Sequence, residues 1–120
     1  MAVATNVTDH DAVDALARTA IDTYGKLSIW VNNAGGSPAR MPLTELSRQQ
    51  CDDCIELDKT AVWVGITTAA RYMQTGSIIN ISSGAGTGPV PGAAVLLLCS
   101  PAASWITGET LRVGGGAKPR

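Results

Sequence analysis

Two short apolar segments constrain the fold of this chain more than any other feature, because a long helical pattern separates them. The first segment is LSIWVN at 27–32, and the second is SIINIS at 77–82. Between them, apolar residues recur at helical spacing from Ser47 to about Met73. A strand, a crossover helix and a second strand form a unit in which the two strands pair in parallel. The sequence therefore predicts an α/β fold with a parallel sheet.

The helices carry start and stop signals of their own. A first amphipathic helix is predicted to follow the end of a strand at 3–7, with Thr8 as its N-cap and Gly25 as its stop. Ser47 and Gln50 have the spacing of a capping box at the start of the long helix. These signals predict that strands and helices alternate along the first two thirds of the chain.

Length and composition bound the class of protein. The chain has 120 residues, which predicts a single domain over 1–120. Hydrophobic residues make up 45% and charged residues 16%, so a packed core is expected. The net charge of -1 favours neither nucleic acid nor an anionic membrane as a partner. No apolar run reaches the roughly 18 residues of a membrane span, and no signal peptide is recognisable, so we expect a cytoplasmic protein.

Three cysteines leave two interpretations open. An odd number argues against a disulfide framework. A zinc site built on the CDDC pair, Cys51 and Cys54, would need two further ligands, and only Cys99 and His10 are available. A redox CxxC pair usually opens a helix after a strand, whereas this pair lies inside a helical pattern. We expect no metal site and interpret the pair as helix-surface cysteines, with a redox or metal role as the alternative.

The loops VNNAGG (31–36) and ISSGAG (81–86) fall at the carboxyl ends of the two predicted strands. Ligands of parallel sheets bind outside the carboxyl ends of strands, so the loops are candidate walls of one crevice. Asparagine and glycine suit close approach to a ligand and plain turns alike, and both interpretations stay open. Pro89 stands where a dinucleotide fingerprint wants its third glycine, and only His10 could activate a serine. Neither a phosphate loop at 84–88 nor a hydrolase triad is expected.

An ordered set of motifs resembles the short-chain dehydrogenase/reductase family. The motifs are NVTD (6–9), YGKL (24–27), VNNAG (31–35), GSIINISS (76–83) and WITGETLRVGGG (105–116). With the long helix between the third and fourth motifs, they stand in the family's order, and the match covers most of the chain. The resemblance implies a Rossmann-like, doubly wound parallel sheet. It also implies hydride transfer between NAD or NADP and a small-molecule carbonyl or alcohol.

The same resemblance implies residues that bind the cofactor. Asn6 and Val7 match the position that touches adenine. Asn33, Ala34 and Gly35 match the loop under the ribose and the nicotinamide.

Two further residues match the family's catalytic positions. Ser83 matches the serine that hydrogen-bonds the substrate oxygen. Asp58 stands where the family has an asparagine that holds a proton-relay water, and a carboxylate has no NH₂ group to donate.

Two family segments have no counterpart in this sequence. They are the TGxxxGIG phosphate loop and the Tyr-x-x-x-Lys pair, whose tyrosine acts as the acid/base. The resemblance therefore implies a partial fold that is truncated at its N-terminus and has an internal deletion joined near Ala94 or Val95. It implies an oxidoreductase with impaired activity, as a marginal monomer or a homo-oligomer held by the long helix.

Two other hypotheses differ in what the surviving motifs do. One is a non-catalytic module that pairs with a full-length relative through the long helix. The other is an active short variant that uses Asp58 and Ser83 with another acid.

Overall fold

The computed structural model describes residues 1–36 and 41–82, together with Cys99, Ser104, Ile106, Gly108 and Glu109. Its elements in chain order are α1 (His10–Tyr24), β1 (Ile29–Asn32), a 3₁₀ turn (Leu43–Glu45), α2 (Arg48–Ile55), a π-helical turn (Glu56–Thr60), α3 (Ala61–Tyr72) and β2 (Ser77–Asn80). The predicted alternation of helices and strands is confirmed from α1 to β2. The predicted deletion join near residues 94–95 lies outside the described residues.

The strands β1 and β2 form a parallel pair in which Asn32 lies opposite Asn80. Two backbone hydrogen bonds extend the ladder beyond the strands. The Ser77 N–H donates to the Ser28 carbonyl at 3.0 Å, and the Ile81 N–H donates to the Asn32 carbonyl at 2.9 Å. Both strands therefore end at the same edge of the sheet, as the crossover pattern predicts.

The core lies between α3, α1 and the sheet, since α3 packs against α1 and both strands. Small side chains on the buried face of α3 let the helix approach its neighbours closely. Burying a valine or isoleucine side chain of this core stabilises the fold by about 1.5–3 kcal/mol. The buried residues are Val13, Ala17, Ala61, Val64, Gly65, Thr68, Ala69 and Ile79.

The start of α1 differs from the prediction by one residue. Asp9 is the N-cap, because its carboxylate accepts the backbone N–H groups of Asp11 and Ala12 at 3.0 and 3.1 Å. The Thr8 hydroxyl donates backward instead, to Asn6 Oδ1 at 2.9 Å. A carboxylate also complements the positive end of the helix dipole. The predicted stop is confirmed, since Gly25 caps α1 in a left-handed conformation with φ 78°.

The strand predicted at 3–7 does not form. Residues 1–6 have no regular secondary structure, and residues 7 and 8 lie in a turn. A strand needs a neighbour to exchange backbone hydrogen bonds. In the described sheet β1 and β2 pair only with each other, so apolar composition alone does not make 3–7 a strand.

The long helix is confirmed, with an interruption that the sequence did not indicate. Both halves of the capping box form, with the Gln50 N–H donating to Ser47 Oγ at 3.2 Å and the Ser47 N–H donating to Gln50 Oε1 at 2.9 Å. The π-helical turn then separates α2 from α3, where the Ala61 N–H donates to the Glu56 carbonyl. Such π-helical turns are rare in proteins, and those that occur often lie at functional sites.

Candidate functional site

A cavity of about 140 Å³ lies at the carboxyl end of β1, between this strand, the two helices α1 and α3 and the turn before α1. Its walls are mostly apolar, with asparagine amides and one threonine as the polar members. The cavity brings together three residues that the sequence singles out, namely Val7, Asn33 and Ala34. The complete lining is Thr5, Val7, Val13, Leu16, Trp30, Val31, Asn32, Asn33, Ala34, Ala61, Val62 and Gly65.

Asn6 differs from its neighbour Val7, since it does not line this cavity. Its side-chain oxygen accepts the Thr8 N–H at 3.1 Å and the Thr8 hydroxyl at 2.9 Å. Its carbonyl accepts the Asp9 N–H at 3.1 Å. These bonds form the turn that places Val7 in the cavity wall. Asn6 therefore holds this turn in shape without lining the cavity itself.

A polar network that the sequence analysis missed crosses one wall of the cavity. The Trp30 indole N–H donates to Asn32 Oδ1 at 2.7 Å, and the Asn32 NH₂ group donates to Asn80 Oδ1 at 2.8 Å. Trp30 and Asn32 lie two residues apart on one face of β1, where side chains alternate. The sequence signal was present, because each apolar strand ends in an asparagine.

Gly65 lets α3 approach this network. A Cβ atom at this position would lie 2.9 Å from Trp30 Nε1 and would collide with the Asn32 side chain. Close approach of a helix to a strand is a common reason for an isolated glycine inside a helical pattern. The close approach of α3 at Gly65 could therefore have been predicted from the sequence, because Gly65 is an isolated glycine inside a helical pattern.

Asp58 lies in the π-helical turn and contacts the loop that follows β1. Its Oδ1 atom accepts the Gly36 N–H at 2.8 Å. A Cβ atom on Gly35 would lie 2.9 Å from the same oxygen. Gly35 therefore lies against Asp58, whereas Asn33 and Ala34 line the cavity. The Asp58 carboxylate holds the end of the loop after β1 in place. Ser83, the remaining predicted site residue, lies outside the described residues.

A second polar cluster joins α1 to the end of α3. The Asp14 carboxylate accepts the Tyr72 hydroxyl at 2.9 Å and pairs with Arg18 at 2.7 Å and Arg71 at 3.2 Å. Arg18 Nε also donates to the Tyr72 hydroxyl oxygen at 3.1 Å. The Tyr72 hydrogen bond and then the two guanidinium groups hold the pKa of Asp14 below its ordinary value, against the opposing effect of burial. The Tyr72 hydroxyl is therefore occupied by α1.

Two absences hold for the part of the chain that the structure describes. Its histidine, cysteine and acidic side chains form no group of three that could hold a metal ion. Its helices are all too short or too polar to cross a bilayer.

Comparison with known proteins places this arrangement in context. A profile of the short chain dehydrogenase family matches residues 1–96. The cis-4-hydroxycyclohexanecarboxylate dehydrogenase of Sinomonas cyclohexanicum is 39% identical over 84 residues, which cover 68% of this chain and 34% of that enzyme. The chain thus spans about a third of the length of this relative.

Two solved structures share the fold. A mutant short-chain dehydrogenase/reductase from Serratia marcescens superposes with a TM-score of 0.65 at 31% identity, covering 86% of this chain and 42% of that protein. A short chain dehydrogenase from Burkholderia cenocepacia, solved in complex with NADP, has a TM-score of 0.63 at 24% identity over 78% of this chain and 40% of that one. These matches confirm the expected fold class, a partial α/β fold of the Rossmann-like type.

Proposed function

Because the chain belongs to the short-chain dehydrogenase family, we propose that it takes part in hydride transfer between NAD or NADP and a small-molecule carbonyl or alcohol. The observation that carries this proposal is the cavity at the carboxyl end of β1, with Val7, Asn33 and Ala34 in its walls. Ligands of open α/β sheets bind at this edge. We assign the protein to the cytoplasm.

The residues of the cavity fit one ring of a dinucleotide. Val7 and Ala34 offer apolar surface to the face of a ring, and the Asn33 amide can donate and accept hydrogen bonds at its edge. A volume of about 140 Å³ accommodates part of the cofactor and not all of it. A bound nicotinamide would supply or accept the hydride.

We assign different tasks to the two candidate catalytic residues. Ser83 hydrogen-bonds the substrate oxygen, an assignment that rests on its match to the family motif. Asp58 supports the cofactor loop, since its carboxylate accepts the Gly36 N–H at 2.8 Å. An ionised carboxylate only accepts hydrogen bonds, so Asp58 cannot donate the hydrogen bonds that the NH₂ group of the family's asparagine donates.

Turnover by this polypeptide alone is expected to be impaired. Neither of its two tyrosines, Tyr24 and Tyr72, has a lysine four residues further along. The Tyr72 hydroxyl also bonds Asp14 and Arg18, away from the loop after β1. General acid/base help is worth roughly 100- to 10,000-fold in rate, and this chain offers no Tyr/Lys pair to supply it.

Cofactor binding provides the direct test, and Trp30 provides an internal probe because it lines the cavity. NADH and NADPH are titrated into the full chain while energy transfer from tryptophan to the reduced nicotinamide is recorded. The Ala34→Leu variant narrows the cavity, and we expect its dissociation constant to rise at least about tenfold, because an added isobutyl group collides with the bound ring. Ala70→Leu adds the same group at an exposed position of α3 and is expected to bind as the parent does. Absence of binding by the parent chain, or equal binding by both variants, would overturn the proposal.

The exposed apolar surface of the long helix favours a second candidate, a non-catalytic module that pairs with a second copy or a full-length relative. Ile55 is 49% exposed and Trp63 is 60% exposed. Large apolar side chains that stay in water favour association. Sedimentation of the chain alone and mixed with a full-length relative tests this candidate. We expect Trp63→Glu to weaken any complex that forms, and a complex unaffected by this change would contradict the second candidate.

A further inference from the structure

Cys51 and Cys54 lie one turn apart on α2, a helix with little contact to the rest of the described fold. Both thiols are free and half-buried, so solvent reaches them. No residue of α2 is buried, and its packing contacts are with the π-helical turn. A local change in α2 therefore leaves the core between α3, α1 and the sheet undisturbed.

The acidic residues between the two cysteines are engaged elsewhere. Arg48 Nε donates to Asp52 at 2.8 Å, and Gln49 Nε2 donates to Asp53 Oδ1 at 2.8 Å. Both bonds link residues four apart along the outer surface of the helix. Spacing of three residues puts the two thiols next to each other on the remaining face.

A disulfide between the two thiols requires a local distortion of α2. In a regular α-helix, Cβ atoms three residues apart are separated by about 5–6 Å, whereas a disulfide needs about 3.5–4.5 Å. At the end of α2 the Glu56 N–H is shared between the carbonyls of Asp52 and Asp53, and the π-helical turn follows directly. Regular α-helical bonding therefore ends one residue after Cys54, next to the segment that must distort.

We propose that Cys51 and Cys54 are a redox-active pair that forms a reversible disulfide within α2 on reaction with a hydroperoxide. One thiolate attacks the terminal peroxide oxygen, the O–O bond breaks, and the leaving oxygen departs as water or an alcohol after taking up a proton. The second thiol then attacks the sulfenic sulfur, forming the S–S bond and releasing water. Two thiols are oxidised and one peroxide is reduced. This pair is independent of the cavity at β1.

Mass spectrometry of the full chain tests the proposal. The Cys99→Ser variant removes the third cysteine, and brief treatment with hydrogen peroxide is expected to yield a monomer lighter by two hydrogen atoms. Digestion without reductant should give one peptide with an internal 51–54 bond, and dithiothreitol should restore the original mass. The matched variant with Cys54→Ser added is expected to lose the two-hydrogen change completely.

Three results would overturn the proposal. They are oxygen addition without hydrogen loss in the Cys99→Ser variant, a disulfide-linked dimer as its main product, and a bond to Cys99 as the main product in the unmodified chain. The unmodified chain is expected to form the 51–54 bond even though Cys99 is present.

Discussion

Asn32 and Asn80 join the carboxyl ends of the two parallel strands through their side chains, with the Asn32 NH₂ group donating to Asn80 Oδ1 at 2.8 Å. The same Asn32 accepts the Trp30 indole N–H at 2.7 Å. Asn32 thus links a half-buried tryptophan to the neighbouring strand. The network fixes the edge of the sheet at which the cavity opens. Among the described residues, it gives the Asn32 side chain two partners and the Asn80 side chain one.

This asymmetry predicts unequal effects of removing either asparagine. Asn32→Ala leaves the Trp30 N–H without a partner in a partly buried position, which costs about 1–3 kcal/mol of the free energy of unfolding. Asn80→Ala removes one exposed hydrogen bond and is expected to cost about 0.5 kcal/mol. Urea unfolding of both variants measures the difference. Equal losses of unfolding free energy in the two variants would show that the hydrogen bond from Trp30 to Asn32 adds no stability beyond that of the bond from Asn32 to Asn80.

Gly65→Ala is expected to destabilise the fold although alanine is the better helix former. The helical preference favours alanine by about 1 kcal/mol. The added Cβ would lie 2.9 Å from Trp30 Nε1 and would collide with the Asn32 side chain, and such overpacking typically costs about 1–3 kcal/mol. The clash with Asn32 disappears in the double variant that also carries Asn32→Ala. We therefore expect the two losses to be less than additive in urea unfolding, and full additivity would contradict the assigned contact.

The sequence predicts those parts of the fold whose signals are local. The capping box at Ser47 and the stop at Gly25 depend on residues a few positions apart, and both form as expected. The parallel pair follows from two apolar segments around a helical crossover. These elements position the loop after β1, so the sequence alone is enough to put Asn33 and Ala34 at the carboxyl end of the sheet.

The remaining features depend on which neighbours are present in space. Residues 3–7 have strand composition, but no described strand pairs with them. Thr8 and Asp9 are both good capping residues, and the hydrogen bond from Thr8 to Asn6 decides between them. The contact from Asp58 to Gly36 joins residues 22 positions apart, which no periodicity indicates. Spacing rules reach about one helical turn, and these outcomes depend on longer distances.

The contact between Asp58 and Gly36 predicts how the loop responds to substitution. Asp58→Asn keeps a side-chain oxygen that accepts the Gly36 N–H, so the loop should hold its position. Asp58→Ala removes the acceptor, and amide exchange at Gly36 is expected to accelerate by roughly three- to tenfold, as for the loss of one exposed hydrogen bond. Exchange followed by NMR on labelled protein measures both variants. An unchanged Gly36 rate in Asp58→Ala would show that the loop is held by other contacts.

The capping box predicts a local effect in α2. Ser47→Ala removes the acceptor of the Gln50 N–H, a loss that typically costs about 1 kcal/mol of helix stability. Among the described helices and strands, α2 contacts only the π-helical turn. The amides of α2 should therefore exchange faster while the global unfolding midpoint stays nearly constant. A loss of global unfolding free energy as large as the loss of α2 stability measured by amide exchange would show that α2 unfolds together with the core.

The cluster around Asp14 makes the stability of the α1–α3 contact depend on pH. The side chain of Asp14 is 19% exposed and contacts Tyr72, Arg18 and Arg71. Its pKa is lowered in the folded state, first by the Tyr72 hydrogen bond and then by the arginines. A carboxyl group with a lowered folded-state pKa stabilises the fold above its unfolded pKa of about 3.9. That contribution is lost as the pH falls through the folded value.

Asp14→Asn therefore isolates a stability difference that has a defined pH window. The difference in unfolding free energy between the parent chain and this variant should be constant from pH 7 to about 5, shrink below about pH 4, and fade once the folded-state carboxyl is protonated. Tyr72→Phe removes the largest cause of the lowered pKa, so the pH-dependent part of the Asp14→Asn effect should be smaller in that background. Urea unfolding at a series of pH values measures all four chains. A difference that persists unchanged at pH values where the folded-state carboxyl is fully protonated would assign the effect of Asp14 to packing, because ionisation cannot contribute there.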